Sequence, residues 1–200
     1  MTVVVIGAGG HAKVVVATLQ AAGRSIAGIY DDDRSRHGAE LMGIPIRGPV
    51  EEAVRAGLPM LIAVGDNRAR RELARRLQGE FATAVHPTAV VHPSCRIGPG
   101  SVVFAGAVIQ PDSILGEHVI VNTAASIDHD CRVGAFSHLG PGVRLCGSVT
   151  LGEGALLGVA AAAVPGSRIG EWSVVGAGAV VTKYVEPGLT VVGIPARPRS

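Results

Sequence analysis

From Val85 to Val181 an aliphatic side chain recurs at every sixth position without an insertion, and only Ala163 substitutes a smaller apolar group. The series includes Val91, Ile97, Val103, Ile109, Leu115, Val121, Ile127 and Val133, and continues in the same phase. Glycine often follows the rung residue, as at Gly98, Gly116, Gly134, Gly152 and Gly170. A period of six matches neither the 3.6 of an α-helix nor the 2 of an isolated strand. It predicts a parallel β-helix, in which short strands meet at tight corners and three hexads make one coil. About six such coils form a prism roughly 25–30 Å tall at ordinary strand spacing.

Composition supports a solenoid. The 28 glycines suit tight corners, and an aromatic content of 3% suits a core of small aliphatics. The formal charge of +2 is too small to imply a nucleic-acid partner. The arginines at positions 68, 70, 71, 75 and 76 read as the solvated face of a helix. Cys95, Cys131 and Cys146 lack paired metal-ligand spacing, which argues against a disulfide framework or zinc site and for a reducing cytoplasm. The start lacks a basic signal region, and the apolar stretch from Ala155 to Pro165 is too short for a membrane span. A soluble cytoplasmic protein without membrane insertion is expected.

The first portion has another rhythm. Thr2 to Ile6 reads as a buried strand, followed at once by Gly7-Ala8-Gly9-Gly10-His11 and a helix from Ala12 to Ala22. Ser25 to Tyr30 is a second strand ending in Asp31-Asp32-Asp33, and Gly43 to Ile46 a short extended piece. Val50 to Ala56 reads as helix, Met60 to Val64 as strand, and Arg68 to Leu77 as helix after Gly65-Asp66-Asn67. Alternation of this kind implies a small Rossmann-like parallel sheet. The expected division is a 1–82 α/β nucleotide-sugar-binding domain and an 83–200 all-β β-helix acetyltransferase domain with a C-terminal tail. The tail leaves the repeat at Pro187, and the N-terminal domain can cover one end of the solenoid.

Two segments can carry chemistry. Gly7, Gly9 and Ala12 match the loose form of a dinucleotide fingerprint, with free N–H groups at a helix start. Asp31 follows where an acidic residue contacts a ribose or a base edge. NAD(P), another nucleotide and a plain tight turn all remain open. The domain's small size fits a single nucleoside diphosphate better than a dinucleotide. The second segment runs from Asn122 through Asp128-His129-Asp130-Cys131 to Phe136-Ser137-His138. A neutral imidazole accepts a proton near pH 7, and a neighbouring carboxylate stabilises the imidazolium. Alternating strand geometry leaves Asp128 and Asp130 competing for that task. His37 and His118 read as solvated, and His86 and His92, six apart, sit on adjacent prism faces, a poor start for a metal site. No metal is expected.

These features together resemble the sialic acid O-acetyltransferase / UDP-4-amino-sugar N-acetyltransferase family, the left-handed β-helix acyltransferases that include the bacillosamine-pathway enzymes. Three segments carry the resemblance: Ile6 to His11, Asn122 to His138, and the closing Gly193-Ile194-Pro195-Ala196-Arg197. It implies a homotrimer with active sites between subunits, acetyl-CoA as co-substrate, and a nucleotide-sugar held by the N-terminal domain. It further implies that His129 is the general base, that Asp130 tunes it, and that His138 lies near the acetyl group. Asn122 then faces the sugar. Gly9, Gly10, His11, Asp31, Asp32, Gly65, Asp66 and Asn67 contact the nucleotide-sugar, and His138, Gly147, Gly158 and Gly176 line the CoA groove. Two positions depart from the family: Asp130 where the bacillosamine enzymes tend to have glutamate, and Asp66 where an asparagine is usual. The implied reaction is direct acetyl transfer to an amine in bacterial glycan biosynthesis, with the oxyanion held by a backbone N–H or by His138. Rival readings are O-acetylation of a sialic acid or related nonulosonate, an NAD-dependent oxidoreductase, and a purely structural or surface-binding β-helix.

Overall fold

The computed structural model describes residues 1–199. The N-terminal domain runs β1 (Thr2–Ile6), α1 (Gly10–Ala21), β2 (Ser25–Tyr30), β3 (Glu40–Leu41), β4 (Ile44–Pro45), α2 (Glu51–Arg55), β5 (Met60–Ile62) and α3 (Asn67–Arg76). Its sheet is parallel in the order β2-β1-β5, so β1 lies in the middle and is covered on both faces. That explains its unbroken apolar run. Val3 and Val5 pack towards α1, whereas Val4 and Ile6 pack towards Val50, Ala53 and Leu77.

The expected extended piece near Gly43 is a hairpin, β3 against β4. Its turn uses Met42 at φ 53° and Gly43 at φ 76°, two left-handed residues in succession. That is the turn that matches strand twist. Methionine is an unusual first residue for it, which hid the hairpin.

The first coil strand is Ala84–Val85, and pairing then advances by one coil each time: Val85, Val103, Val121, Leu139, Leu157 and Val175 stack in register. Three parallel sheets form the prism, of eight, six and five strands. The eight-stranded face leads through a first corner to the six-stranded face. A second corner leads to the five-stranded face, and a third returns to the start. The rung residues fill one continuous core from Val103 to Val191.

From Gly100 to Gly178 each corner carries one residue with positive φ. The first corner has Gly106, Ala124, Gly142, Ala160 and Gly178; the second has Asp112, Asp130, Ser148 and Gly166; the third has Gly100, His118, Phe136, Gly154 and Trp172. The glycines that follow the rungs have a different reason. At the third corner they form a column, and a Cβ on Gly134 would lie 2.6 Å from the Glu153 nitrogen of the next coil. There it is backbone proximity, rather than torsion, that excludes a side chain.

The register shortens slightly earlier than Pro187. Val185 already bridges Ile169, Thr190–Val192 rejoins the eight-stranded face beside Val174–Val175, and Arg197–Pro198 folds back antiparallel.

The N-terminal domain sits against the eight-stranded face. Helix α1 lies between the sheet and that face, with Ala12, Val15, Val16 and Leu19 sharing one core with Val102, Phe104 and Ile120. Helix α3 docks on the third corner. His118, Phe136 and Gly154 are one coil apart there, and their carbonyls accept from Arg70 Nε (2.9 Å), Arg70 Nη2 (2.7 Å) and Asn67 Nδ2 (3.1 Å). Arg70 is therefore not on a solvated face. It is 1% exposed, and burial lowers its pKa to about 10, so it stays charged at neutral pH. Arg71 is half-buried, with its guanidinium carbon 4.3 Å from the Trp172 ring centre, whereas Arg68 stays exposed, as expected, with its own 4.8 Å from the same ring. Arg71 bonds Glu153 at 3.0 Å as well. His118, expected to be solvated, is 2% exposed and stacks on Phe136 at 5.0 Å.

Candidate active site

Open parallel sheets bind ligands where the chain changes winding direction, beyond the carboxyl ends of the strands. Here that point lies beyond β1 and β5, at Gly7–His11 and Gly65–Asn67, and the eight-stranded face closes its far side. Gly7 takes φ 99° and donates to the Tyr30 carbonyl at 2.7 Å. Gly9 caps α1 in extended conformation, and no side chain caps the helix start. Arg36, in the single 3-10 turn Arg34–Arg36, reaches over Gly9 and is held by Asp33 at 3.0 Å. An anion at the start of α1 would thus meet backbone N–H groups and a guanidinium.

Asp31 and Asp32 brace the loops. Asp31 accepts the N–H groups of Ala8 (2.6 Å) and Asp33 (2.8 Å), tying the glycine loop to β2. Its backbone carbonyl is bonded by His37 Nε2 at 2.7 Å, so His37 is half-buried rather than solvated. Asp32 accepts from Val50 N–H and pairs with Arg76 at 2.6 Å, which together hold its pKa below the ordinary carboxylate value. Asp66 caps α3 through Ala69 N–H at 2.8 Å, and Asn67 is buried against the β-helix.

On the β-helix side of the crevice, His138 Nδ1 is 3.2 Å from the Gly65 carbonyl and Nε2 is 3.2 Å from Asn122 Nδ2. A carbonyl only accepts, so Nδ1 carries the proton. Asn122 Oδ1 accepts Thr123 N–H at 2.8 Å, which turns the Asn122 amide nitrogen towards His138. His138 is therefore neutral with an accepting Nε2. Burial and the Arg70 charge push its pKa down to about 4. In this tautomer His138 has no N–H to offer an oxyanion. His11 lies beside it at 6.0 Å between ring centres and edge-on to Phe104 at 5.5 Å. Its Nε2 is buried without a partner, and burial, His138 and Arg70 lower its pKa to about 4.

His129 stands elsewhere, at the second corner. Asp130 has φ 58°, and this left-handed residue turns its carboxylate back so that Oδ2 lies 2.8 Å from His129 Nδ1. Strand alternation does not apply across such a corner. Asp128 instead accepts the His129 backbone N–H at 2.8 Å. With Nδ1–H donated to Asp130, Nε2 carries the free lone pair. The Asp130 hydrogen bond chiefly, with the charges of both aspartates, raises the His129 pKa above its ordinary value. A base with a free acceptor nitrogen and a carboxylate behind it fits proton abstraction near neutral pH. A groove of about 270 Å³, lined by Gln110, Ser126, Asp128, Arg144 and Cys146, runs beside it.

Residues 2–77 match the PglD N-terminal domain. The chain is similar to UDP-N-acetylbacillosamine N-acetyltransferase from Bacillus subtilis (strain 168), 39% identical over 112 residues that cover 52% of this chain. That match spans about half (51%) of the Bacillus protein's length. Among solved structures, a mutant of perosamine N-acetyltransferase from Caulobacter crescentus in complex with CoA and GDP-perosamine superimposes with a TM-score of 0.95 at 42% identity. It covers 100% of this chain and 97% of that one. The chain belongs to the left-handed β-helix family of nucleotide-amino-sugar N-acetyltransferases. The acetyltransferase domain of PglB from Neisseria gonorrhoeae in complex with acetyl coenzyme A is similar at TM-score 0.92 and 38% identity, covering 99% and 98% of the two chains.

In this family member the anticipated site residues fall into two groups. Gly9, Gly10, His11, Gly65, Asn122 and His138 surround the crevice, whereas His129 and Asp130 lie at the second corner, between the six- and five-stranded faces. The glycines divide likewise. Gly147 lies under His129, since a Cβ on it would meet the imidazole, whereas Gly158 and Gly176 continue the first-corner column of Asn122. Sequence reading missed Arg36, Arg70 and Phe104. Arg70 had a visible signal: Asn67, Arg70, Ala74 and Leu77 form one helical stripe ending in apolar residues.

Proposed function

We propose that the chain is an acetyl-CoA-dependent N-acetyltransferase acting on the amino group of a nucleotide-activated 4-amino-4,6-dideoxy sugar, in bacterial glycan biosynthesis. The observation that carries this is His129, exposed, with Nδ1–H given to Asp130 and Nε2 free. Nε2 takes a proton from the sugar amine as the nitrogen attacks the thioester carbonyl. The carbonyl oxygen gains the charge and is held by a backbone N–H. Collapse of the tetrahedral intermediate forms the amide and expels the CoA thiolate. The sugar nucleotide occupies the crevice of Gly9, Gly10, His11, Gly65 and Asn122, with Arg36 beside its phosphates. Acetyl-CoA runs along the β-helix past Gly147, Gly158 and Gly176.

The position of His129 away from that crevice supports a homotrimer, in which one subunit's His129 serves its neighbour's crevice. The three free cysteines support a reducing cytoplasmic location. Among the described residues no helix is long and apolar enough to cross a membrane.

The test is acetyl-CoA-dependent thiol release with UDP- and GDP-linked 4-amino sugars, the nucleotides of the bacillosamine and perosamine relatives. A CMP-nonulosonate serves as the hydroxyl acceptor. Release with an amino sugar alone is expected, and release with none of the acceptors would refute the reading. His129→Ala should lower turnover by roughly 10²–10⁴ without changing the oligomer measured by light scattering.

A further inference from the structure

Arg70 is a buried cation whose partners are almost all backbone. Its five N–H donors go to the carbonyls of His118, Val64, Gly65 and Phe136 and to Asn67 Oδ1, at 2.7–3.2 Å. Side-chain chemistry gives arginine five donors and no more, so none is left over. The Gly65 carbonyl is the shared point. One lone pair takes Arg70 Nη1 at 3.2 Å and the other takes His138 Nδ1 at 3.2 Å. Neither His138 nor Asn122 touches Arg70 directly, yet both depend on where that carbonyl points.

We propose that Arg70 is a positioning residue for the reaction: by fixing the Gly65 carbonyl on His138 Nδ1, it holds His138 in the tautomer whose Nε2 accepts a hydrogen bond inside the crevice. Without this anchor the Gly65–Asn67 loop can turn its carbonyl away, and the His138 proton can move to Nε2. The Asn122 amide would then face a donor, and a polar pair lining the sugar pocket would become repulsive. Burial first and the Arg70 charge second disfavour a second proton on the ring and lower the His138 pKa to about 4. Lysine cannot replace arginine here, because a three-donor point charge cannot serve five oxygens in a plane. The kinetic consequence rests on the acetyl-transfer reading; the tautomer itself does not.

The experiment measures His138 protonation at pH 7 by long-range proton–nitrogen NMR on histidine-labelled protein, alongside turnover, for the wild type, Arg70→Lys and Arg71→Lys. Arg71 supplies the control, because it joins the same helix to the β-helix through Glu153 and Trp172 without touching Gly65. The wild type should show a protonated Nδ1 and a bare Nε2. Arg70→Lys should mix the tautomers and lower kcat/KM for the amino sugar by roughly 10²-fold, the scale expected for a displaced catalytic geometry. Arg71→Lys should leave both unchanged. A wild-type His138 protonated on Nε2 would overturn the proposal. So would an Arg70→Lys protein with unaltered tautomer, or an Arg71→Lys protein altered to the same degree. If no acceptor is acetylated by any form, the reaction assignment fails while the NMR result still decides the role of Arg70.

Discussion

Two aspartates flank His129, and backbone torsion decides which of them serves it. The left-handed turn at Asp130 brings carboxylate and imidazole to the same side, while Asp128 is spent on the His129 N–H. On the proposed mechanism His129 is the base and must be neutral to work, so activity should fall as pH drops through its raised pKa. Asp130→Asn removes the principal cause of that elevation. Its acid limb in a kcat/KM–pH profile should therefore move to lower pH, and turnover should fall by less than it does for His129→Ala. An unmoved limb would show that Asp130 does not control the base. At this scale the sequence was informative about chemistry and silent about geometry. The His-Asp pair was visible as a candidate, but its choice between two carboxylates needed a torsion angle. Arg70 was marked in the sequence only by its stripe with Ala74 and Leu77, and docking on the β-helix shows what that stripe buries.

Among the elements, the glycines of the coil separate into two kinds that look alike in sequence. Gly142 has φ 68° and no atom within 4 Å of a built Cβ, and its column neighbours Ala124 and Ala160 already hold that torsion at 55° and 56°. Gly152 has no left-handed torsion, but its Cβ would lie 2.5 Å from the Glu171 nitrogen. Gly142→Ala should cost at most about 1–2 kcal/mol, the left-handed penalty. Gly152→Ala must separate two coils and should cost about 1–3 kcal/mol or more, as overpacking does. Denaturant unfolding of the two variants checks the order, and equal costs would contradict the distinction. The coil itself was legible from its period, since each rung must point inwards. The β3–β4 hairpin was not, because its Met42-Gly43 turn carries only half of the usual signal.

At the scale of the whole molecule, one buried and two half-buried histidines gather where the domains meet. His11, His118 and His138 are each pushed from 6.5 to about 4, so the folded protein holds them neutral. The unfolded chain binds these protons more readily between those values, so stability is full above pH 6.5 and declines as pH falls towards 4. The melting temperature should drop over that window, and a His118→Phe variant should flatten the decline. An unchanged slope would locate the acid sensitivity elsewhere. His118 read as solvated because a polar corner residue is ordinarily exposed, and only the arrival of Phe81 at 4.6 Å and of α3 buries it.

The carbonyls that receive Asn67 and Arg70 belong to a repeating column, and a column of backbone oxygens has no address. Any coil would offer the same acceptors, about 4.8 Å higher or lower. Which storey the N-terminal domain occupies is written instead in the side chains beside them, in Phe136 under the His118 ring and in Trp172 beneath two arginines. Splicing in one whole coil between Asn122 and His129 would preserve the solenoid and leave every docking oxygen in kind. It would nonetheless set His138 one storey away from Asn122, its partner in the crevice, so the repeat that makes this scaffold extensible also makes its chemistry sensitive to floor number.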